Sequence, residues 1–176
     1  MSLAKIQKIL IYNLFISTIV LFVYSLGYFT NFVDLQITNK DFYNTAQIVN
    51  RFIFNYSFYA IVAIGLLLIL STQTKEHYSL FDYILVLTIS ILYIFLNVEI
   101  IVVNSVLKAE YLKVDFIKIA KIIPDYKEST FIFTIGNIIN IISIVISLLT
   151  ISLIVIKYFK DRGIKREKCR KDAISA

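Results

Sequence analysis

Long uncharged segments alternate with short polar ones along the chain. Segments 9–33, 52–74 and 130–156 contain no acidic or basic side chain, and segment 83–107 contains only Glu99. At a rise of about 1.5 Å per residue, each segment could cross a hydrocarbon core about 30 Å thick as one helix. Helices of soluble proteins carry a charged face that these segments lack. The pattern therefore predicts an all-α integral membrane protein whose four transmembrane helices form a bundle.

The connections between these spans are short, so we expect no soluble module. Residues 34–50 are polar and predict an outer loop with no more than a turn or two of structure. Between the third and fourth spans, apolar residues recur at spacings of three and four positions: Leu112, Phe116, Ile119 and Ile123. This spacing predicts a short interfacial amphipathic helix at about 110–123, ending near Pro124. Such a helix could cap the bundle, dock a partner or sense the membrane.

The distribution of basic residues predicts the orientation of the spans. Eleven of the 18 Lys and Arg residues lie on the side of the two chain ends, and seven lie on the other side. Because cytoplasmic segments carry the excess of Lys and Arg, both termini should be cytoplasmic. We expect residues 1–160 to form one transmembrane domain in the plasma membrane.

Charge is concentrated after the fourth span. The charged segment starts at Lys157 and should be a short helical extension followed by a disordered end, with residues 161–176 as a basic cytoplasmic tail. Basic groups near its start would attract anionic lipid headgroups: Lys160, Arg162, Lys165 and Arg166. The alternative is that the tail acts only as a topology signal. No aromatic-rich platform accompanies the charge, so we expect no nucleic-acid partner.

Small and polar residues inside the spans indicate which helix faces meet. In the fourth span they follow one another at spacings of four and three: Gly136, Asn140, Ser143, Ser147 and Thr150. Asn97 and Asn104 lie on one stripe of the third span. Because lipid tails are as apolar as leucine, helix association in membranes depends on such residues. The stripes are therefore either a helix-packing seam or, together with Asn137, the lining of a polar lumen or ion path.

Glu99 is the one acidic or basic residue within a predicted span. An acid near the middle of a membrane is costly and marks a candidate functional site. Its helical phase differs from that of Asn97 and Asn104, so it should face a different neighbour. No Lys or Arg lies within a span to neutralise it. Three roles stay open: a protonated acid bonded to a neighbour, a proton- or cation-handling carboxylate, and a partner contact.

The composition agrees with a membrane location and excludes several classes of site. Hydrophobic residues make up 59% of the chain, whereas they make up about half of a soluble domain. Charged residues make up 17%, whereas they make up about a quarter of a soluble domain. One Cys and one His cannot supply a disulfide framework, a Cys/His zinc site or bis-histidine haem ligation. The four Gly form neither a dinucleotide-binding motif nor a P-loop. We therefore expect no metal and no cofactor.

Two short segments resemble motifs of the lipoprotein signal peptidases, which also have four spans. The segments are 114–117 (VDFI) and 133–137 (FTIGN). That family cleaves lipoprotein precursors with two aspartates, and the corresponding positions here are Leu107 and Asn137. Neither residue is an acid, so the resemblance implies an inactive relative.

These observations favour a function without catalysis, since no nucleophile with a base and no pair of intramembrane acids is visible. We expect a non-enzymatic accessory, assembly or immunity-type subunit that acts by binding another membrane protein. The first alternative is a homo-oligomeric proton or cation transporter or channel that uses Glu99. The second is the inactive relative of lipoprotein signal peptidase. The expected partners are the lipid bilayer and either another membrane protein or further copies of the chain.

Overall fold

A computed structural model describes residues 3–73 and 78–174, and within them the side chains of residues 4, 29, 72, 73 and 164–174 are left undescribed. His77 and Lys75 lie outside the described residues. The described chain forms six helices: α1 (Leu3–Asn31), α2 (Leu35–Thr38), α3 (Lys40–Gln73), α4 (Leu80–Tyr111), α5 (Phe116–Ile122) and α6 (Phe131–Ile174).

Four of these helices are long and apolar enough to cross a membrane. The candidate spans are Lys5–Tyr28, Lys40–Ser71, Leu80–Tyr111 and Phe131–Gly163. Their number and order confirm the prediction of four apolar helices. Together with the composition, they indicate an integral membrane protein.

The predicted loop at 34–50 is wrong. The structure has the short α2 there and starts α3 at Lys40, because the chain is capped and amphipathic from that point. The Asn39 carboxamide oxygen accepts a hydrogen bond from the backbone N–H of Phe42 at 3.1 Å, and Asp41 lies in the first turn, where the helix dipole favours an acid. Phe42 and Ala46 then continue the buried face of α3 toward the chain start.

Side-chain caps fix the start of α4 and of α5. Ser79 and Asp82 form a capping box at α4, each accepting a hydrogen bond from the backbone N–H of the other. The Asp115 carboxylate caps α5 by accepting from the backbone N–H of Lys118 at 3.2 Å. Because α4 runs on to Tyr111, α5 is a separate helix of seven residues, shorter than the predicted 110–123.

The tail differs from the predicted short extension followed by disorder. Helix α6 continues without a break to Ile174, so the basic segment prolongs the fourth apolar helix. Its residues have a high share of Lys, Arg and Glu, which are good helix formers and can continue a helix that is already nucleated.

The four long helices pack as neighbours in the order α1, α3, α4, α6, with α6 returning to α1. Buried residues on α4 follow spacings of three and four without exception: Tyr83, Val86, Ser90, Tyr93, Asn97, Ile100, Asn104, Leu107 and Tyr111. A mean period of 3.5 residues is typical of left-handed coiled-coil packing.

The two ends of this assembly differ in chemistry. At the end that we call the aromatic end, four buried rings lie with neighbouring centroids 5.3–5.7 Å apart: Phe32, Phe42, Tyr111 and Phe133. At the opposite end, which we call the basic end, the Lys157 ammonium donates a hydrogen bond to Gln7. The polar residues singled out in the sequence lie between these two ends.

Candidate functional site

A hydrogen-bonded network around Asn104 joins three helices near the aromatic end. The Asn104 carboxamide oxygen accepts from the phenols of Tyr28 and Tyr24, the latter at 3.3 Å. Its amide nitrogen donates to the carboxamide oxygen of Asn137 and to the backbone carbonyl of Phe133, both at 2.8 Å. Asn104 is fully buried. The network links α1, α4 and α6 and satisfies both ends of this carboxamide.

Gly136 lies directly against this network. A Cβ atom at Gly136 would overlap the phenol of Tyr24. The Tyr24 hydroxyl also lies 3.1 Å from the Tyr28 hydroxyl, so its one proton is shared between Tyr28 and Asn104. Because Gly136 has no side chain, the Tyr24 ring can cross its surface and reach Asn104 on α4.

A second group of polar residues lies deeper between the helices. The Tyr93 phenol is 3.3 Å from the Ser17 hydroxyl and also neighbours Ser143. The amide nitrogens of Asn97 and Asn140 each donate to the carbonyl one turn earlier in their own helix, at 2.6 Å. Their carboxamide oxygens are buried and have no hydrogen-bond partner among the described residues. This central group therefore has spare acceptor capacity, which ordered water could use.

The remaining seam residues of α6 satisfy their hydroxyls locally. Ser143, Ser147 and Thr150 are fully buried. Each hydroxyl donates to the carbonyl four residues earlier, at 2.8–2.9 Å. Ser147 and Thr150 therefore contribute to packing through their small size, which permits close helix approach, and Ser143 in addition contacts the Tyr93 phenol of α4.

Asn50 is a buried polar residue that the sequence analysis missed. It is fully buried on α3, and neither its carboxamide oxygen nor its nitrogen has a hydrogen-bond partner in the described part of the chain. The signal was the spacing of three and four residues that connects it to Ala46 and Ile53 on the same buried face. Treating 34–50 as a loop hid this pattern.

Glu99 lies on the opposite side of α4 from the asparagines. Asn97 and Asn104 are fully buried, whereas Glu99 is exposed on the outer surface of the helix assembly. It shares that surface with Phe95, which is 68% exposed, and Val102, which is 56% exposed. It forms no hydrogen bond or ion pair with any residue that the structure describes. The structure therefore joins Asn104 to Asn137, buries Asn97 and Asn140 between the helices, and leaves Glu99 apart from all four.

No protein-family model, curated protein or solved structure matches this chain. The positions that correspond to the aspartates of lipoprotein signal peptidases are Leu107, which is buried among apolar side chains, and Asn137, which is bonded to Asn104. Across the described residues, no group of three or more His, Cys, Asp or Glu side chains could hold a metal ion.

Lys157 is a second residue whose environment the sequence did not reveal. It directly follows the fourth uncharged segment, where the charged part of the sequence begins, yet it is only 5% exposed. Its ammonium donates to the Gln7 carboxamide oxygen at 3.0 Å and lies 3.9 Å from the centre of the Tyr78 ring. The neighbouring Asp161 carboxylate accepts a hydrogen bond from the Tyr83 phenol at 2.6 Å. Lys157 thus joins α6 to α1 and to the segment before α4.

The predicted lipid-contact residues divide into two pairs. Lys160 and Arg162 are exposed on α6 at the basic end. The side chains of Lys165 and Arg166 lie outside the described part of the structure, although α6 carries their backbone. The Arg162 guanidinium lies 5.1 Å from the centre of the Tyr158 ring, a cation–π geometry.

Proposed function

We propose that this chain is a non-enzymatic subunit that acts within the membrane by binding another membrane protein through the outer face of α4. In this proposal the four long helices cross the plasma membrane as a bundle with both termini in the cytoplasm. The aromatic end and α5 then lie at the outer surface, with α5 in the lipid interface. The basic end faces anionic lipid headgroups on the cytoplasmic side.

The observation that supports this proposal is the exposed carboxyl of Glu99 in the middle of an apolar helix, which no side chain in the described ranges contacts through a hydrogen bond or ion pair. A charged side chain at a helix centre costs about 3 kcal/mol on insertion scales. An internal role would place Glu99 among the buried asparagines, where a polar partner would offset this cost. On the outer face only lipid or another protein can meet it. A helix with a basic or hydrogen-bonding side chain would satisfy the carboxyl.

The test is site-specific photocrosslinking in the native membrane. A photoreactive residue at Phe95 or at Val102 would flank Glu99 on the same exposed face, and one at Leu66, which is 56% exposed on α3, would serve as the control. We expect a defined crosslinked protein from the two α4 positions and none from Leu66. Glu99→Leu should reduce this product, whereas Glu110→Gln, which removes an acid at the end of α4, should leave it intact. Lipid adducts alone at all three positions would contradict the proposal.

A homo-oligomeric proton or cation channel is the second candidate. The exposed position of the Glu99 side chain supports this candidate as well, because copies joined through α4 would bring several Glu99 carboxyls around a common axis. Crosslinks between copies of this chain, with proton or cation flux in liposomes that Glu99→Gln abolishes, would favour it. Flux that is unaltered by Glu99→Gln would exclude this use of Glu99.

A further inference from the structure

An apolar groove runs between α4 and α6 near the basic end. It has a volume of about 320 Å³, within the range of roughly 300–1,000 Å³ that small-molecule pockets occupy. Ile84 and Leu87 form its wall on α4, and Val155 and Phe159 form its wall on α6. Ile84, Val155 and Phe159 are themselves exposed, so the groove opens sideways to the surroundings of the helices. An unbranched hydrocarbon chain fits this shape and chemistry.

The groove continues into a smaller polar pocket toward the end of the span. This pocket has a volume of about 180 Å³ and shares Tyr83 and Tyr158 with the groove. Its further lining includes Asp161 and Arg162. Apolar and polar compartments therefore meet end to end, with two tyrosines at their junction.

The charges in the polar pocket favour an anion. The Asp161 carboxylate accepts a hydrogen bond from Tyr83 and lies near the Lys157 ammonium, so its charge is already compensated. Arg162 contacts the Tyr158 ring and has no acidic partner among the described side chains. A guanidinium presents several N–H donors that match a phosphate group.

We infer that this groove and pocket form a binding site for one anionic phospholipid. One acyl chain lies between α4 and α6, and the phosphate is held by Arg162 at the level of Tyr158. Bilayer tails are as apolar as the groove, so the groove orients the lipid without selecting it. The headgroup contacts with Arg162 determine the preference for a negative charge. The inference requires the transmembrane placement of the helices but neither a protein partner nor a role for Glu99.

The experiment uses the purified full chain in mild detergent and measures lipid retention by native mass spectrometry. Phosphatidylglycerol and phosphatidylcholine with the same acyl chains are added in separate titrations. Arg162→Gln removes the headgroup contact, and Lys171→Gln removes the same charge elsewhere in the tail. Ile84→Trp fills the groove, and Ile91→Trp makes the same change two turns further along an exposed face of α4. Circular dichroism and thermal unfolding establish that each variant is folded.

We expect one tightly retained phosphatidylglycerol per chain and weaker retention of phosphatidylcholine. Arg162→Gln should lower the ratio between the two lipids about fivefold, the contribution of one basic group near an anionic headgroup. Lys171→Gln should leave this ratio unchanged. Ile84→Trp should abolish retention of both lipids, and Ile91→Trp should preserve it.

Three results would overturn the inference. The first is equal retention of the two lipids by the unaltered chain. The second is an equal effect of Arg162→Gln and Lys171→Gln, which would assign the preference to the overall charge of the tail. The third is thermal stabilisation by inorganic phosphate alone that matches stabilisation by phosphatidylglycerol, which would reduce the site to a free-anion site without a role for the groove.

Discussion

Replacing Gly136 with alanine tests the contact on which the Asn104 network depends. The new Cβ would overlap the Tyr24 phenol, so the ring must move or α6 must shift away from α1. Two other glycines in the spans provide matched controls. A Cβ at Gly27 would lie 3.5 Å from Ile132, and one at Gly65 would lie 3.4 Å from Phe15, both ordinary van der Waals contacts.

The expected cost follows from three contributions. Overpacking a close contact costs about 1–3 kcal/mol. Displacing Tyr24 also disrupts its hydrogen bonds to Asn104 at 3.3 Å and to Tyr28 at 3.1 Å, each contributing about 0.6 kcal/mol within a membrane. The higher helix propensity of alanine than of glycine offsets about 1 kcal/mol of this destabilisation. Gly136→Ala should therefore destabilise the protein by about 1–3 kcal/mol, whereas the changes at Gly27 and Gly65 should be neutral or slightly stabilising.

The assay is reversible unfolding of the purified chain in mixed micelles, followed by circular dichroism as the denaturing detergent fraction rises. A double-mutant cycle with Tyr24→Leu isolates the contact, because a leucine at this position lacks the ring that meets the new methyl group. In the Tyr24→Leu background, Gly136→Ala should have little effect on the free energy of unfolding. The reasoning would be refuted by equal stabilities of the Gly136 and Gly27 variants, or by a penalty that persists without the Tyr24 ring.

Three further predictions concern other polar groups. Asn104→Leu should lower the free energy of unfolding by about 2 kcal/mol, because it removes the four hydrogen bonds of this carboxamide. The control Ser105→Leu, on the exposed side of α4, should change this free energy little. Equal effects of the two substitutions would contradict a structural role for the network. Hydrogen bonds from the backbone N–H of Lys118 and then from its side chain lower the pKa of Asp115 below its ordinary value of 3.8. The ionised Asp115 carboxylate should therefore stabilise α5 at neutral pH, and this stabilisation should be lost as the pH falls through the lowered pKa. The protection of the α5 amides against hydrogen exchange, measured relative to the unfolded chain at the same pH, should therefore decrease in acid. Asp115→Ala should remove this pH dependence of the protection, and an unchanged dependence would assign it to another group. Gln7→Leu removes the hydrogen-bond acceptor of the buried Lys157 ammonium and should lower the free energy of unfolding by about 1–3 kcal/mol. In a Lys157→Met background the same substitution should lower it less. An equal loss in both backgrounds would exclude the Gln7–Lys157 pairing.

The helices could be predicted from the sequence where hydropathy alone determines them. A stretch of more than 20 residues with no more than one charged side chain is sufficient to predict an apolar helix long enough to span a membrane, and all four such helices were predicted. The start of α3 could not be found in this way, because its first turns are polar and become helical through the Asn39 cap and the buried face that begins at Phe42. Hydropathy measures transfer into lipid, whereas helix ends depend on individual hydrogen bonds.

Side-chain contacts of the candidate sites were less predictable. Helical phase alone separated Glu99 from Asn97, and the structure places these residues on opposite sides of α4. The same phase could not reveal that Tyr24 crosses Gly136 to reach Asn104, since this contact depends on how far two neighbouring helices approach. The burial of Lys157 could not be predicted either, because its position in the sequence does not show that Gln7 and Tyr78 enclose it.

The arrangement of polar groups also limits how conduction could occur. A path through one copy would run along the buried asparagines and would have to leave through the aromatic end. There the Asn104 carboxamide is bonded to Tyr28 and Asn137, and the buried rings of Phe32 and Phe133 pack in the apolar cluster beside it. Since Glu99 is outside this interior, a path that uses it would have to run between copies or between this chain and a partner. The two proposed roles of Glu99 are contact with a partner protein and ion handling between copies of the chain. Flux through a protein that stays monomeric would therefore contradict both roles, whereas flux that depends on association through α4 would be consistent with both.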